Sequence, residues 1–417
     1  MMEQVLFIAI ILFILLEFCW SSVLDYLNHK TWSKPLPASM AHFYDSEKYE
    51  QAKQYDIAKY KVTIWSSTLS LLFTLAFILA GGFAYLDSFL RRISENEIIL
   101  SLLFFGSMSL FSFIISLPFT IYNTFVIEER FGFNKTTKKT YILDTIKGIL
   151  LTIVLGGALL SLVVWLQQVA GPYFWLMAWG CISGFSILMA MFYTSWLLPL
   201  FNKLTPLEEG PLKEQILAYA AKVDFPVNQI MVMDGSKRSS KANAFFSGLG
   251  PKKSIVLFDT LIAEMSQEEI LAVLAHEVGH YKHKHIYKSM FISVLSTGII
   301  LFLFGQIMNS QLLADVLGTP KSFHIALVVF SLLYSPISLI TTPLMNLFSR
   351  KNEFEADAYA GKTYEASFLI SGLKKMSINH LSNLQPHPWY VFFHYSHPPL
   401  MARMEALQKN GQKNNIV

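Results

Sequence analysis

Long apolar runs alternate with short polar stretches along the chain. Seven of the runs approach the roughly 20 residues that an α-helix needs to cross a bilayer. They cover residues 5–24, 62–86, 98–125, 146–167, 174–198, 287–308 and 323–348. The first run is long, has no basic residue before it and no small-residue cleavage pattern after it, so it reads as a retained anchor. Two polar regions remain, 199–286 and 349–417, which divides the chain into five spans (1–198), a polar segment (199–286), two spans (287–348) and a second polar segment (349–417). In the first polar region, residues 211–223 have the spacing of an amphipathic helix. Gln229–Met233, 242–246 and Ser254–Phe258 are β-rich and punctuated by Gly235, Gly248 and Gly250, which predicts a small sheet. Ser266, Gln267, Glu268 and Glu269 then open a helix with a capping-box signature, and Ile270, Val273 and Leu274 supply its apolar face.

Composition supports the membrane reading. Hydrophobic residues make up 53% of the 417 and charged residues only 15%, against about 25% charged in an ordinary soluble domain. The net charge of +4 is too small to argue for a nucleic-acid partner, but its placement is informative. Lys30, Lys34, Lys48, Lys53, Lys59 and Lys61 follow the first span, and Arg130, Lys135, Lys138 and Lys139 follow the third. The even loops hold only Arg91 and Arg92, nothing, and Lys321. An excess of Lys and Arg marks cytoplasmic loops, so the odd loops and the C-terminus are expected there. Both polar regions then lie on one side and can close into a single domain. Cys19 and Cys181 sit far apart in apolar runs and give no disulfide framework; they read as lipid- or core-facing thiols.

Candidate chemistry concentrates on that side. His276, Glu277 and His280 form H-E-x-x-H on the capped helix. Residues four apart sit one above the other on a helix, so the two imidazoles can aim at one zinc ion, with Glu277 beside them as a general base for its water. With 11 histidines, a chance match to this motif is expected on the order of 0.01 times. A catalytic zinc usually takes three protein ligands. Glu353 and Asp357, again four apart, can supply one carboxylate to the metal and a second to orient a ligand histidine, and the sequence alone does not say which does which. Glu355 points to the other side. His283 and His285, among Lys282, Lys284 and Lys288, read as a charged collar at the membrane interface. A metal transporter would carry ionisable residues at mid-span, and these spans carry few.

Taken together, the motifs resemble those of the type I CAAX prenyl proteases, seven-span membrane zinc endopeptidases of the gluzincin class. The resemblance covers nearly the whole chain. It rests on His276-Glu277-x-x-His280, on Glu353-Phe-x-Ala-Asp357, on Asn243-Ala-Phe-Phe, on His394-Tyr-Ser-His397-Pro-Pro and on the run from Glu128 to Asn134. It implies that Glu353 is the third zinc ligand and Asp357 the carboxylate behind a ligand histidine. It also implies that Asn243, His397 and Arg403 hold substrate backbone and stabilise the tetrahedral intermediate. The implied fold is mainly α, with seven transmembrane helices around a water-filled chamber and a cytoplasmic α+β zinc metalloprotease domain. One Zn2+ per chain, a monomer in the lipid bilayer and cleavage beside a prenylated cysteine near a polypeptide's C-terminus are the corresponding expectations. Compact polar segments, and a tail at 411–417 without a dilysine-type signal, favour a bacterial inner membrane over the endoplasmic reticulum. A bacterial cell need not prenylate proteins, so quality control of unprenylated membrane proteins is the alternative task.

Overall fold

The computed structural model describes residues 1–247 and 254–414; Gly248 and Gly250, and the last three residues of the expected tail, lie outside the described residues. Among the described residues, seven helices are long and apolar enough to cross a membrane: Met2–Ser33, Ser46–Leu79, Glu97–Glu128, Lys138–Val169, Gly171–Phe201, His285–Ile307 and Phe323–Thr363. In hydrocarbon every backbone N–H and C=O must find its partner inside the segment, which is why these runs are helical whatever their side chains prefer. Several begin at polar caps: Asp45 accepts from Glu47 N, Asn96 from Ile98 N and Ile99 N, and Thr137 from Thr140 N.

The second span departs from expectation. It stops at Leu79 rather than near residue 86, because Gly81 adopts φ +69° and turns the chain into a separate helix, Gly82–Arg91. Asp87 on that helix is fully buried, bonded to Arg91 (2.8 Å) and to His324 at the start of the seventh span (2.8 Å). The third, fourth and fifth spans each contain a π-turn, at Asn123–Glu128, Thr152–Gly156 and Tyr193–Leu197. The first of these follows Pro118, whose missing N–H already loosens the ladder. Ser66, Ser70 and Thr74 of the second span and Ser112 and Ser116 of the third line a cavity of about 700 Å³ between them.

The seventh helix matters most for the site. Its 41 residues rise about 60 Å, roughly twice the hydrocarbon thickness. It therefore leaves the bilayer as an unbroken helix, running through the expected boundary at 348/349 and carrying Glu353 and Asp357 into the polar domain. There a four-stranded sheet has the order β1-β2-β4-β3, with β1 Leu204–Pro206, β2 Gln229–Met233, β3 Ala244–Ser247 and β4 Ser254–Phe258. β2 and β4 are parallel; β1 and β3 pair antiparallel on either side. β1 has only three residues and ends in proline, too short to show a pattern in the sequence. The helix Pro211–Lys222, the sheet, the helix Gln267–Lys282 and the C-terminal residues Leu369, Leu373 and Leu407 share one core, so residues of the two polar regions pack together.

Candidate metal centre

The helix Gln267–Lys282 starts as expected. Ser266 caps it, accepting from Glu269 N (3.3 Å), while the Glu269 carboxylate accepts from Ser266 N (2.9 Å), from Ser371 (2.7 Å) and from Lys375 (2.7 Å). The amphipathic expectation does not hold. All of Glu269–His276, with Val278 and Gly279, is buried, so the helix runs through the core instead of lying on it. Gly279 explains how closely it packs on the seventh-span helix. A Cβ there would lie 2.9 Å from both the Cα and the carbonyl oxygen of Ala356. Only glycine lets the two backbones meet at that crossing, and the crossing places Glu353 opposite His276 and His280.

At that point His276 Nε2 and His280 Nε2 are 3.2 Å apart. Glu353 Oε1 lies 3.2 Å from His280 Nε2, and Glu353 Oε2 lies 3.5 Å from His276 Nε2. Glu353 Oε2 is buried without a hydrogen-bond partner. Two ring nitrogens and an orphaned carboxylate oxygen converging on one point form a donor set suited to a cation, and two imidazoles with a carboxylate suit zinc. The expected one-metal centre of His276, His280 and Glu353 is therefore present in the geometry. Asp357 Oδ1 lies 2.8 Å from His276 Nδ1, behind the centre. Arg403 donates to both Asp357 oxygens (2.8 and 2.6 Å), with its guanidinium 3.7 Å from Glu353. The resemblance put Arg403 on the substrate; here two of its five N–H donors are engaged with Asp357, and it also lines the site cavity.

Electrostatics follow from this packing. Burial raises the Glu277 carboxyl of the metal-free site above the ordinary carboxylate range. Burial pulls the His276 imidazole down, but Asp357 and Glu353 outweigh it and lift it to about 9. Below that pH the metal-free ring holds a proton that an incoming cation must displace. Apparent zinc affinity is accordingly expected to fall as pH drops from 9 to 6, as read by chelator competition; a flat profile would contradict this.

The site opens into a cavity of about 550 Å³ lined by Asn243, Phe246, Glu277, Glu353 and His397 among others. β3 is an edge of the sheet and borders this cavity with Ala244, Phe245 and Phe246. His397 is two-thirds exposed, with Nε2 3.4 Å from Glu353 Oε1 and Nδ1 3.0 Å from Ser396 Oγ. Its segment is fastened to the seventh-span helix. Asn346 donates to Phe393 O (2.7 Å), and Arg350 donates to Val391 O (2.9 Å) and Tyr395 O. Neither Asn346 nor Arg350 stands out in the sequence, because both act on backbone carbonyls.

The run from Glu128 to Asn134 has a mechanical explanation. Glu128 gathers Tyr55 (2.7 Å), Lys59 (3.3 Å) and Lys241 (3.4 Å). Phe133 O accepts from Ser240 N (3.1 Å), and its ring lies 4.3 Å beneath the Lys241 ammonium. From the other side, His380 Nε2 accepts from Ala242 N (3.1 Å); burial pushes this histidine down to about 4, so it stays neutral and able to accept. The chain entering β3 at Asn243 is thus clamped from two directions.

His285 corrects the collar reading. Only His283 is exposed; His285 is 3% exposed, with Nδ1 3.0 Å from His280 Nδ1 and Nε2 3.0 Å from Glu355 Oε2. Cys19 and Cys181 are free thiols.

Comparison with known proteins agrees with this geometry. Residues 25–203 match the profile described as CAAX prenyl protease N-terminal, five membrane helices, and residues 206–410 match that of peptidase family M48. A CAAX prenyl protease 1 homolog of Oryza sativa is 37% identical over 97% of this chain and 98% of its own. The chain belongs to the CAAX prenyl protease 1 family of M48 peptidases. The human homolog is 32% identical over 98% of this chain and 97% of its own. The crystal structure of S. mikatae Ste24p superposes with a TM-score of 0.92 at 34% identity, covering 96% of this chain and 99% of that one. The chain is thus a zinc metalloprotease of the membrane, with the mainly α, seven-span fold and added α+β domain expected from its sequence. One expectation is overturned. The similar CAAX prenyl proteases come from plants, animals, fungi and Dictyostelium, which favours a membrane of the endoplasmic-reticulum or Golgi type over a bacterial inner membrane.

Proposed function

We propose that this protease cleaves the peptide bond beside a prenylated cysteine at the C-terminus of CAAX polypeptides. The observation that carries the reading is the convergence of His276, His280 and Glu353 with Glu277 in a cavity bordered by a sheet edge. Zinc bound there would polarise the scissile carbonyl and acidify a water. Glu277 then takes the proton of the attacking water and returns it to the departing amine. Asp357, held by Arg403, accepts from His276 Nδ1–H and keeps the Nε2 lone pair facing the metal. The β3 edge offers its backbone to an extended peptide. Asn243 is exposed and its Oδ1 accepts from Ala244 N (2.9 Å), leaving its amide nitrogen for a substrate carbonyl. His397, exposed beside Glu353, would donate to the developing oxyanion. Phe225, Phe246, Leu369, Leu373 and Met376 give the cavity apolar walls suited to the aliphatic residues of a CAAX end.

A eukaryotic setting removes the objection to prenylated substrates, and the reading takes the protein as a monomer. The test is a matched pair of C-terminal CAAX peptides, one farnesylated and one not, digested by the purified protein and read by mass spectrometry. Cleavage beside the cysteine of the farnesylated peptide, with little of the other, is expected. Equal cutting of both would replace this reading with a broad endopeptidase acting on unprenylated chains.

A further inference from the structure

The two histidine ligands are supported differently. His276 has the Asp357 carboxylate on its Nδ1, whereas His280 has no carboxylate there; its Nδ1 meets the Nδ1 of His285 at 3.0 Å. We propose that His285 and Glu355 form a positioning relay that fixes the tautomer and aim of ligand His280. The proposal rests on the zinc reading of the centre.

The proton pattern follows from the distances. Of two ring nitrogens 3.0 Å apart, one must carry a proton for the contact to be a hydrogen bond. His280 Nε2 faces the metal position, 3.2 Å from both His276 Nε2 and Glu353 Oε1, so its proton sits on Nδ1. His285 Nδ1 therefore accepts, which places the His285 proton on Nε2. There Glu355 Oε2 accepts it at 3.0 Å. No other arrangement satisfies all three contacts with zinc on His280. The backbone is shaped to allow it. Lys284 adopts the left-handed conformation at φ 57°, an uncommon one for a residue with a side chain. That turn ends the metal helix and brings the buried His285 back against it. Glu355 stands two residues after Glu353, so one helix supplies a ligand from one face and the end of the relay from the other.

His283, His285 and Glu355 also bring ligand atoms within 4.8 Å of one another, as a second cation site would. One observation favours the relay: positive charge crowds the position, with Lys351 3.8 Å from Glu355 and Lys288 acting on the same carboxylate.

The experiment measures zinc content and zinc affinity, by chelator competition, on the full-length protein in detergent. His285→Leu is expected to weaken zinc about 10–100-fold, the usual effect of losing a partner behind a metal ligand. His285→Gln, whose carbonyl can accept from His280 Nδ1–H, should recover most of that loss, and Glu355→Ala should weaken zinc about 10-fold. His283→Ala should leave affinity and a content of one zinc unchanged. Equal affinities in the leucine and glutamine variants would reduce His285 to packing and overturn the relay. So would a wild-type content of two zinc ions falling to one in His283→Ala. Glu355→Ala removes a partly exposed residue and keeps the test decisive if His285→Leu does not fold. A wild-type protein that binds no zinc would instead overturn the metal centre itself.

Discussion

Glu277→Gln should cut the rate of peptide cleavage by orders of magnitude while leaving the metal centre intact. Glu277 is not among the three groups that converge on the metal position, so Glu277→Gln should bind zinc as the wild type does. The amide can neither accept the proton of the attacking water nor return it to the leaving nitrogen. A positioned acid–base group is worth about 10²–10⁴-fold in rate, and kcat should fall by that factor with KM little changed. Turnover with zinc bound and kcat within a few-fold of wild type would remove Glu277 from the chemistry. A loss of zinc together with activity would make it a ligand instead.

Gly279→Ala should be nearly as damaging without touching any reacting group. The added methyl would sit 2.9 Å from the Cα and carbonyl oxygen of Ala356, both backbone atoms that cannot swing aside. The helix carrying His276 and His280 must then back away from the one carrying Glu353. Overpacking of this kind costs about 1–3 kcal/mol of stability, and a displacement of about 1 Å at a catalytic site costs on the order of 10²-fold in activity. A lower melting temperature, weaker zinc binding and a loss of kcat/KM should appear together. A variant melting and cutting like wild type would show that the crossing has slack that the close backbone approach does not suggest.

The limits of the sequence reading have physical causes. Seven spans could be counted because lipid imposes a length and an apolar composition on each crossing. The end of the second could not, since hydropathy continues past Leu79 while the turn depends on the positive φ of Gly81. His276, Glu277 and His280 were legible because their spacing is local to one helix. The division of labour between Glu353 and Asp357 was not, because it depends on how two helices cross at Gly279 and Ala356. His285 was misread because its sequence neighbours are lysines, whereas its partners lie at His280 and Glu355. Arg350 and Asn346 were missed because they grip backbone carbonyls, which leave no mark in a motif. The roles of Asn243, His397 and Arg403 came from resemblance alone. The structure adds a clamped edge strand, an exposed imidazole and an Arg403 bonded chiefly to Asp357.

The most direct test of the account is a zinc titration of metal-stripped protein, with cleavage of a farnesylated CAAX peptide as the readout. Activity should be absent at the start, rise with added zinc and level off at one equivalent per chain. Full cleavage by the stripped protein, or a rise that continues to two equivalents, would contradict a single zinc at His276, His280 and Glu353 as the seat of the chemistry.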